Sequence, residues 1–186
     1  MLAEIEDAII ERCRELVGKH VKEITDLPGN WDDQTLKAAR RSVPGIYVAW
    51  SGGRGENNTR ATLTSRYAIY VVTGQASGER TRRRGSNRQL GAYEILEQIV
   101  PGLHGMAVGG VGSLRLVQVD NLYSDRADQQ GIVIYGAVFE VKSMFPAPCD
   151  TADLADFEIF HTTSHVPDGP DTEGHHVFPN GNEATP

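Results

Sequence analysis

Arginine offers this sequence its densest chemistry. Arg80, Arg82, Arg83, Arg84 and Arg88 crowd the stretch GQASGERTRRRGSNRQ, whose other residues are mainly Gly, Ser and Thr. Planar guanidinium groups bind phosphate and carboxylate through paired hydrogen bonds. Such a polar, basic loop therefore has three readings: a solvated surface loop, a salt-bridging contact to acids such as Glu11, Asp120 or the C-terminal acids of a neighbour, or a contact to nucleic-acid phosphates. Charge runs are usually solvated, and the surrounding sequence is not basic overall, so phosphate binding ranks last of the three.

The other reactive residue types do not assemble into a motif. Glu158, His161 and His165 stand at i, i+3 and i+7, a spacing that can hold a transition metal on a helix. HTTSH lacks the central Glu of a metalloprotease helix, however, and Thr162, Thr163 and Ser164 are weak helix formers. His20 and His104 fall at element ends, where surface or cap roles are usual. The glycine-rich LHGMAVGGVG follows a helical pattern instead of linking a strand to a helix, and it fits neither GxxxxGK[ST] nor GxGxxG. A connector is the expectation there. Ser, His and Asp are scattered without the arrangement a triad needs, so no catalytic residue, metal ligand or cofactor is assigned.

Composition bounds what must position these residues. The 186 residues suit one domain with an appendage. Eight acids and no Lys or Arg occupy residues 150–186, leaving 17 acids against 18 bases before them. The reading is a single domain over residues 1–149 and an acidic, partly disordered tail over 150–186, rich in Pro, Gly, Asn and Thr. Little fixed structure is expected beyond about Val166. No apolar run is long enough to cross a bilayer as a helix. Acids throughout residues 1–17 argue against a signal peptide, and Cys13 and Cys149 show no disulfide or redox pattern, which points to a reducing cytoplasm.

Periodicity supplies the elements. Leu2, Ile5, Ile9, Cys13, Leu16 and Val17 predict an amphipathic helix ending at Gly18. A short strand over Val21, Glu23 and Thr25 stops at Pro28-Gly29, and Asp32 or Asp33 caps a short helix through Arg40. PGIYVAW reads as a strand, SGGRGENN as the turn after it, and residues 60–73 as the partner strand, apolar on both faces in its second half. Asn87 is the expected cap of a helix that runs to about Val100 and is stopped by Pro101 and Gly102. Two strands, residues 114–123 and 131–145, close the domain around a hairpin loop, SDRADQQ. The fold class is α+β: a mostly antiparallel sheet of hairpins with helices packed on it.

One tail segment differs from its surroundings. Residues 156–162, DFEIFHT, alternate as a strand does, with Phe157, Ile159 and Phe160 as apolar anchors. It can add to a sheet edge of its own subunit or of a neighbour.

The acidic N-terminal helix, PGIYVAW, RYAIYVVTG, AYEILEQIVPGLHG and the pair LRLVQVDNLYSD and QQGIVIYGAVFEVKSMF together resemble the Mu-like phage protein family related to tail terminators, over roughly residues 1–145. The resemblance implies an α/β subunit of a ring, a hexamer, at the head-proximal end of a phage tail tube. There it would stop tube growth and offer the surface on which the head docks. The implied partners are further copies of itself, the tail tube protein, the head-tail connector, a sheath protein and, transiently, DNA in the lumen; no membrane is involved. The implied location is the bacterial host cytoplasm during assembly and then the virion tail. Another connector or head-completion component, or a small enzyme, are the alternatives. A closing ring needs two different complementary surfaces on each subunit.

Overall fold

Two segments that are apolar on both faces dictate the architecture, because each face must find a separate cover. The computed structural model describes residues 1–27, 31–56, 61–74, 78–87, 89–122, 124–145, 159–164 and 172–177. They divide into the units Met1–Pro146 and Ala147–Pro186. In the first, β3 (Thr62–Gly74) and β7 (Ile132–Met144) pair antiparallel along their whole length, from Thr62 opposite Met144 to Gly74 opposite Ile132. With β1 (Glu23–Asp26), β2 (Gly45–Gly55) and β6 (Arg115–Asn121) they form one sheet in the order β1-β2-β3-β7-β6. The fold is thus α+β with a mostly antiparallel sheet; the parallel pair is β1 with β2, joined through α2 (Asp33–Arg41).

Alternation sends successive side chains of β3 and β7 to opposite faces. Tyr67, Ile69 and Val71 with Tyr135, Ala137, Phe139 and Val141 meet α1 (Leu2–Val17) and α4 (Ala92–Leu103), which bring Ile5, Ile9, Cys13, Ile95 and Ile99. Val72, Ile132 and Ile134 meet Leu36 and Ala39 of α2 and Ala127 of α5 (Asp125–Gln129) on the other face. Both faces of β3 are therefore filled within one unit. Burial leaves the Cys13 thiol inert, with its pKa pushed up to about 12.

Several element ends differ from the sequence expectation. Pro101 and Gly102 lie inside α4, which ends at Leu103. A Cβ on Gly102 would sit 2.5 Å from Leu16 Cδ1, so this glycine allows the close crossing of α1 and α4. SGGRG continues β2 past a bulge between Trp50 and Gly53, paired through Arg54 opposite Thr64. SDRADQQ holds the short helix α5, whose start is fixed by Ser124 Oγ accepting from Ala127 N–H at 3.2 Å. LHGMAVGGVG contains a small hairpin, β4 (Ala107–Val108) with β5 (Gly112–Ser113). Asp32, as expected, caps α2, accepting from Thr35 N–H at 2.7 Å, which holds its carboxyl below the usual range.

In the second unit, β8 (Ile159–Ser164) and β9 (Thr172–Val177) pair antiparallel, with His161 opposite His175. Strand β9 lies in a region where the sequence, low in apolar residues, led to an expectation of little fixed structure.

Two measurements test this core. Ile9→Ala removes a fully buried side chain between α1 and the sheet and is expected to cost about 2–5 kcal/mol in urea unfolding. Burial also raises the Tyr67 phenol to about 12, with Glu6 adding to it. An unfolded tyrosine titrates near 10, so this stabilisation is complete below about pH 10 and is lost as pH rises toward 12. Absorbance of tyrosinate should show Tyr67 ionising only together with loss of near-ultraviolet circular dichroism; Tyr67→Phe should lessen that alkaline loss of stability.

Candidate functional site

The arginine-rich segment forms a helix, α3 (Glu79–Arg84), in place of the expected loop. Thr73 Oγ1, at the end of β3, donates to the Arg82 carbonyl at 2.6 Å and so ties the helix to the sheet. The chain turns out of it at Gly85, whose φ of 84° favours glycine and whose place against Gly91 N and the Glu94 carboxylate leaves no room for a Cβ. Ser86 and Gln89 exchange backbone hydrogen bonds in the following turn, and α4 then starts at Gly91, whose N–H donates to Glu94 Oε2 at 2.9 Å. That closed turn displaces the helix start from Asn87, the cap expected from sequence.

The helix separates the arginines. The Arg82 side chain is only 12% exposed and pairs with Asp128 of α5 at 3.1 Å. Arg83 pairs with Glu79 at 3.0 Å and donates to Tyr93 OH at 3.4 Å. The Tyr93 hydroxyl lies 3.3 Å from that of Tyr135, and the two rings meet edge to face. The hydrogen bonds from Tyr135 and Arg83 lower the Tyr93 phenol, while burial first and its bond to Tyr93 second raise Tyr135 to about 12. Arg82 and Arg83 thus engage their own domain. Arg80 and Arg84, a helical turn apart, are exposed to solvent, and Arg88 lies outside the described residues.

Two open clefts carry opposite charge. One, of about 510 Å³, brings Lys19, His20 and Lys22 against Asn87 and Leu90. The other, of about 540 Å³, gathers Glu23, Asp26, Asp32 and Tyr47, with Tyr47 OH donating to Glu23 Oε2 at 2.7 Å. The Tyr47 phenol set against that carboxylate is raised by burial first and by its bond to Glu23 second. Among the described residues no group of three His, Cys, Asp or Glu is placed to hold a metal. His104 stands at the end of α4, the kind of position expected for it, and its Nδ1 accepts from the Leu116 N–H of β6 at 3.1 Å.

The large exposed apolar residues lie on the rim of the sheet instead. Val117 (38%), Val119 (47%) and Leu122 (37%) belong to edge strand β6 and the residue after it, and Trp50 (45%) to β2 where β1 no longer covers it. Met144 and Phe145 are exposed where β7 ends. Around them runs a charged ladder: Glu140 pairs with both Arg66 and Arg115, and Lys142 with Glu56 at 2.6 Å. Alternation in β6 is broken by a bulge between Leu116 and Gln118, so its pattern could not be extrapolated from one end of the strand to the other.

Of the proposed docking strand, Ile159 and Phe160 fall in β8 and face β9 positions Val177 and His176. Phe157 lies outside the described residues, as do Glu158 and His165 of the conceivable metal set.

The split of the arginines is testable. Arg82→Ala and Asp128→Ala should each destabilise by about 1 kcal/mol, with little further loss in the double variant. Arg80→Ala and Arg84→Ala should shift unfolding by less than about 0.5 kcal/mol. Thermal and urea unfolding decide between them.

Residues 1–144 match the family model described as Bacteriophage Mu, Gp37. The Mu-like prophage FluMu protein gp37 of Haemophilus influenzae (strain ATCC 51907 / DSM 11121 / KW20 / Rd) is 31% identical over 163 residues, spanning 88% of this chain and 80% of that protein. A protein of Escherichia phage Mu named "Probable tail terminator protein" is 33% identical over 168 residues, spanning 90% of this chain and 88% of the relative. A chain of a solved structure titled "Virion of native gene transfer agent (GTA) particle" aligns over 75% of this chain and 94% of its own, at 16% identity and a TM-score of 0.45. The chain belongs to the bacteriophage Mu Gp37 family.

Proposed function

We propose that this member of the Mu Gp37 family is a structural tail terminator: copies of it close into a hexameric ring on the head-proximal end of a phage tail tube. The ring ends tube polymerisation and presents the surface on which the head docks. The observation that carries this reading is the relative named a probable tail terminator, aligned along nearly the whole of both chains. The subunit's surface agrees with it. Exposed apolar residues follow the sheet rim, where a flat protein contact would use them.

A ring at the end of a tube needs one contact between like subunits and two to unlike partners. On this reading the tail tube protein lies on one side, the connector of the head on the other, and a sheath protein outside where the tail contracts. Arg80 and Arg84 are available to such partners or to DNA passing through, whereas Arg82 and Arg83 already answer acids of their own subunit. No cofactor and no catalysis enter the proposal. Assembly takes place in the host cytoplasm, and the finished ring stays with the virion tail.

Cells producing tails without this chain provide the test. Tubes longer than the normal length, unable to join heads, are the expected result under negative stain. In complemented cells an epitope on this chain should label one end of each tube. Normal tube length in its absence, or label on tail-less heads alone, would overturn the assignment in favour of a connector or head-completion role.

A further inference from the structure

Among the stretches of strand edge without a strand partner in the described residues, the outer edge of β1 is met by Arg14, which donates to the Ile24 carbonyl at 3.1 Å; two others are open. One is the outer edge of β6; the other is residues 51–55 of β2, beyond the reach of β1, which pairs only up to Val48. Edge backbone groups need water or another chain, and monomeric proteins usually protect an edge with charge, Pro or a covering loop. The β6 edge carries Arg115 and Asp120 at its two ends, and between them it presents exposed Val117 and Val119, with Leu122 just past its end. The β2 edge follows Trp50 and is glycine-rich, so its backbone is accessible to an approaching strand.

We propose that β6 of one copy pairs with residues 51–55 of the next, so that the sheet runs on from subunit to subunit. The inference rests on the ring reading above and names its contact. Strand polarity argues for a second copy as the occupant. Strands β2, β3, β7 and β6 alternate in direction, each antiparallel to the next, so β6 runs opposite to β2. Rotation about an axis parallel to the strands preserves strand direction. The β2 edge of a rotated copy therefore meets β6 antiparallel, whereas a two-fold axis perpendicular to the sheet would join β6 to β6. The contact uses two unlike edges, as a closed heterologous ring must.

Side-chain sidedness fits the same operation. Rotation keeps the α1/α4 face of every copy on one side of the continuous sheet. Val119, opposite Ala137, and Trp50, opposite Tyr67, both belong to that face. Asp120, opposite Gly136, and Arg54, opposite Thr64, both belong to the other, so the two edges bring opposite charges to the same side. Arg54 is exposed and Asp120 half-buried. The charged pair selects the register: with Asp120 opposite Arg54, Val119 falls opposite Gly55 on the α1/α4 face, and Trp50 lies past the end of β6.

Native mass spectrometry and cross-linking of the full chain test the contact. Val119→Lys places a charge on the β6 edge at an exposed position, so the monomer should keep its circular dichroism and melting temperature. Its half-dissociation concentration should rise at least about tenfold. Glu97→Lys, on the exposed side of α4, should leave the oligomer unchanged. With Cys149→Ser to remove the second native thiol and Cys13 buried, Arg54→Cys plus Asp120→Cys should give a ladder of linked subunits with a short bismaleimide. Either single cysteine should give none. An oligomer indifferent to Val119→Lys, with no ladder, would overturn the edge contact and leave the ring standing. Cross-linking of Asp120→Cys to a retained Cys149 in place of Arg54→Cys would assign the edge to the tail and also overturn it. A wild-type chain that stays monomeric at every concentration and is absent as an oligomer from isolated tails would remove the ring and the contact together.

Discussion

The register of β3 with β7 is the constraint on which the remaining structure depends. Thirteen paired positions run without a shift from Thr62 opposite Met144 to Gly74 opposite Ile132. A side chain's face is set by this pairing, and a slip of one residue would exchange the faces. Over the half nearest Gly74 both faces are apolar, and each has a helical cover: α1 with α4, and α2 with α5. Toward Met144 the pattern becomes one-sided. Ser65 and Ser143 are buried, with their hydroxyls 3.5 Å apart, while Thr64, Arg66, Glu140 and Lys142 occupy the face that α2 and α5 leave open. The same two strands therefore build the core at one end and project a charged ladder at the other.

The inner half of this design was legible from residue order. Alternation in residues 60–73 and in GIVIYGAVFEVKSMF requires strands, and i, i+4 spacing in residues 2–17 requires a helix with one buried face. The structure places Ile5, Ile9, Cys13 and Val17 in the core accordingly. What escaped was whatever depends on a partner distant in sequence. SGGRG has the composition of a turn, yet β3 holds it as strand by matching Gly53 with Ser65 and Arg54 with Thr64. Pro101 and Gly102 carry the ordinary marks of a helix end, but Leu16 packs on Gly102 and α4 continues to Leu103. Local preference of this kind amounts to about 1 kcal/mol for a glycine. Burial of a single aliphatic side chain outweighs it.

The arginine run illustrates the same limit at the site. Sequence supplied five like charges and three possible destinations; it did not supply the acids. Asp128 comes from α5, a helix hidden inside an apparent hairpin loop, and Tyr93 and Tyr135 come from α4 and β7. Once α3 forms, its two inward arginines find partners of their own subunit. Among the described arginines of the run, Arg80 and Arg84 retain the exposure that any of the external roles requires. A repulsive cluster becomes a brace between α3, α4 and α5, with a small cationic face left outward.

An exposed sheet edge is a hazard for a free subunit, because it can template indiscriminate pairing. For a subunit that assembles on a growing structure it is also the means of joining, provided that wrong pairings are disfavoured. Here the two edges are unlike in length and composition. Pairing residues 51–55 with themselves would oppose Arg54 and Arg54 or bury bare glycine backbone. The unlike pairing alone offers Arg54 an acid on its own face. It also advances by a fixed rotation with each subunit added, so growth ends when the rotation closes. On the proposed ring, specificity for closure would follow from the order β1-β2-β3-β7-β6, in which β6 and the part of β2 beyond β1 offer edges that run in opposite directions.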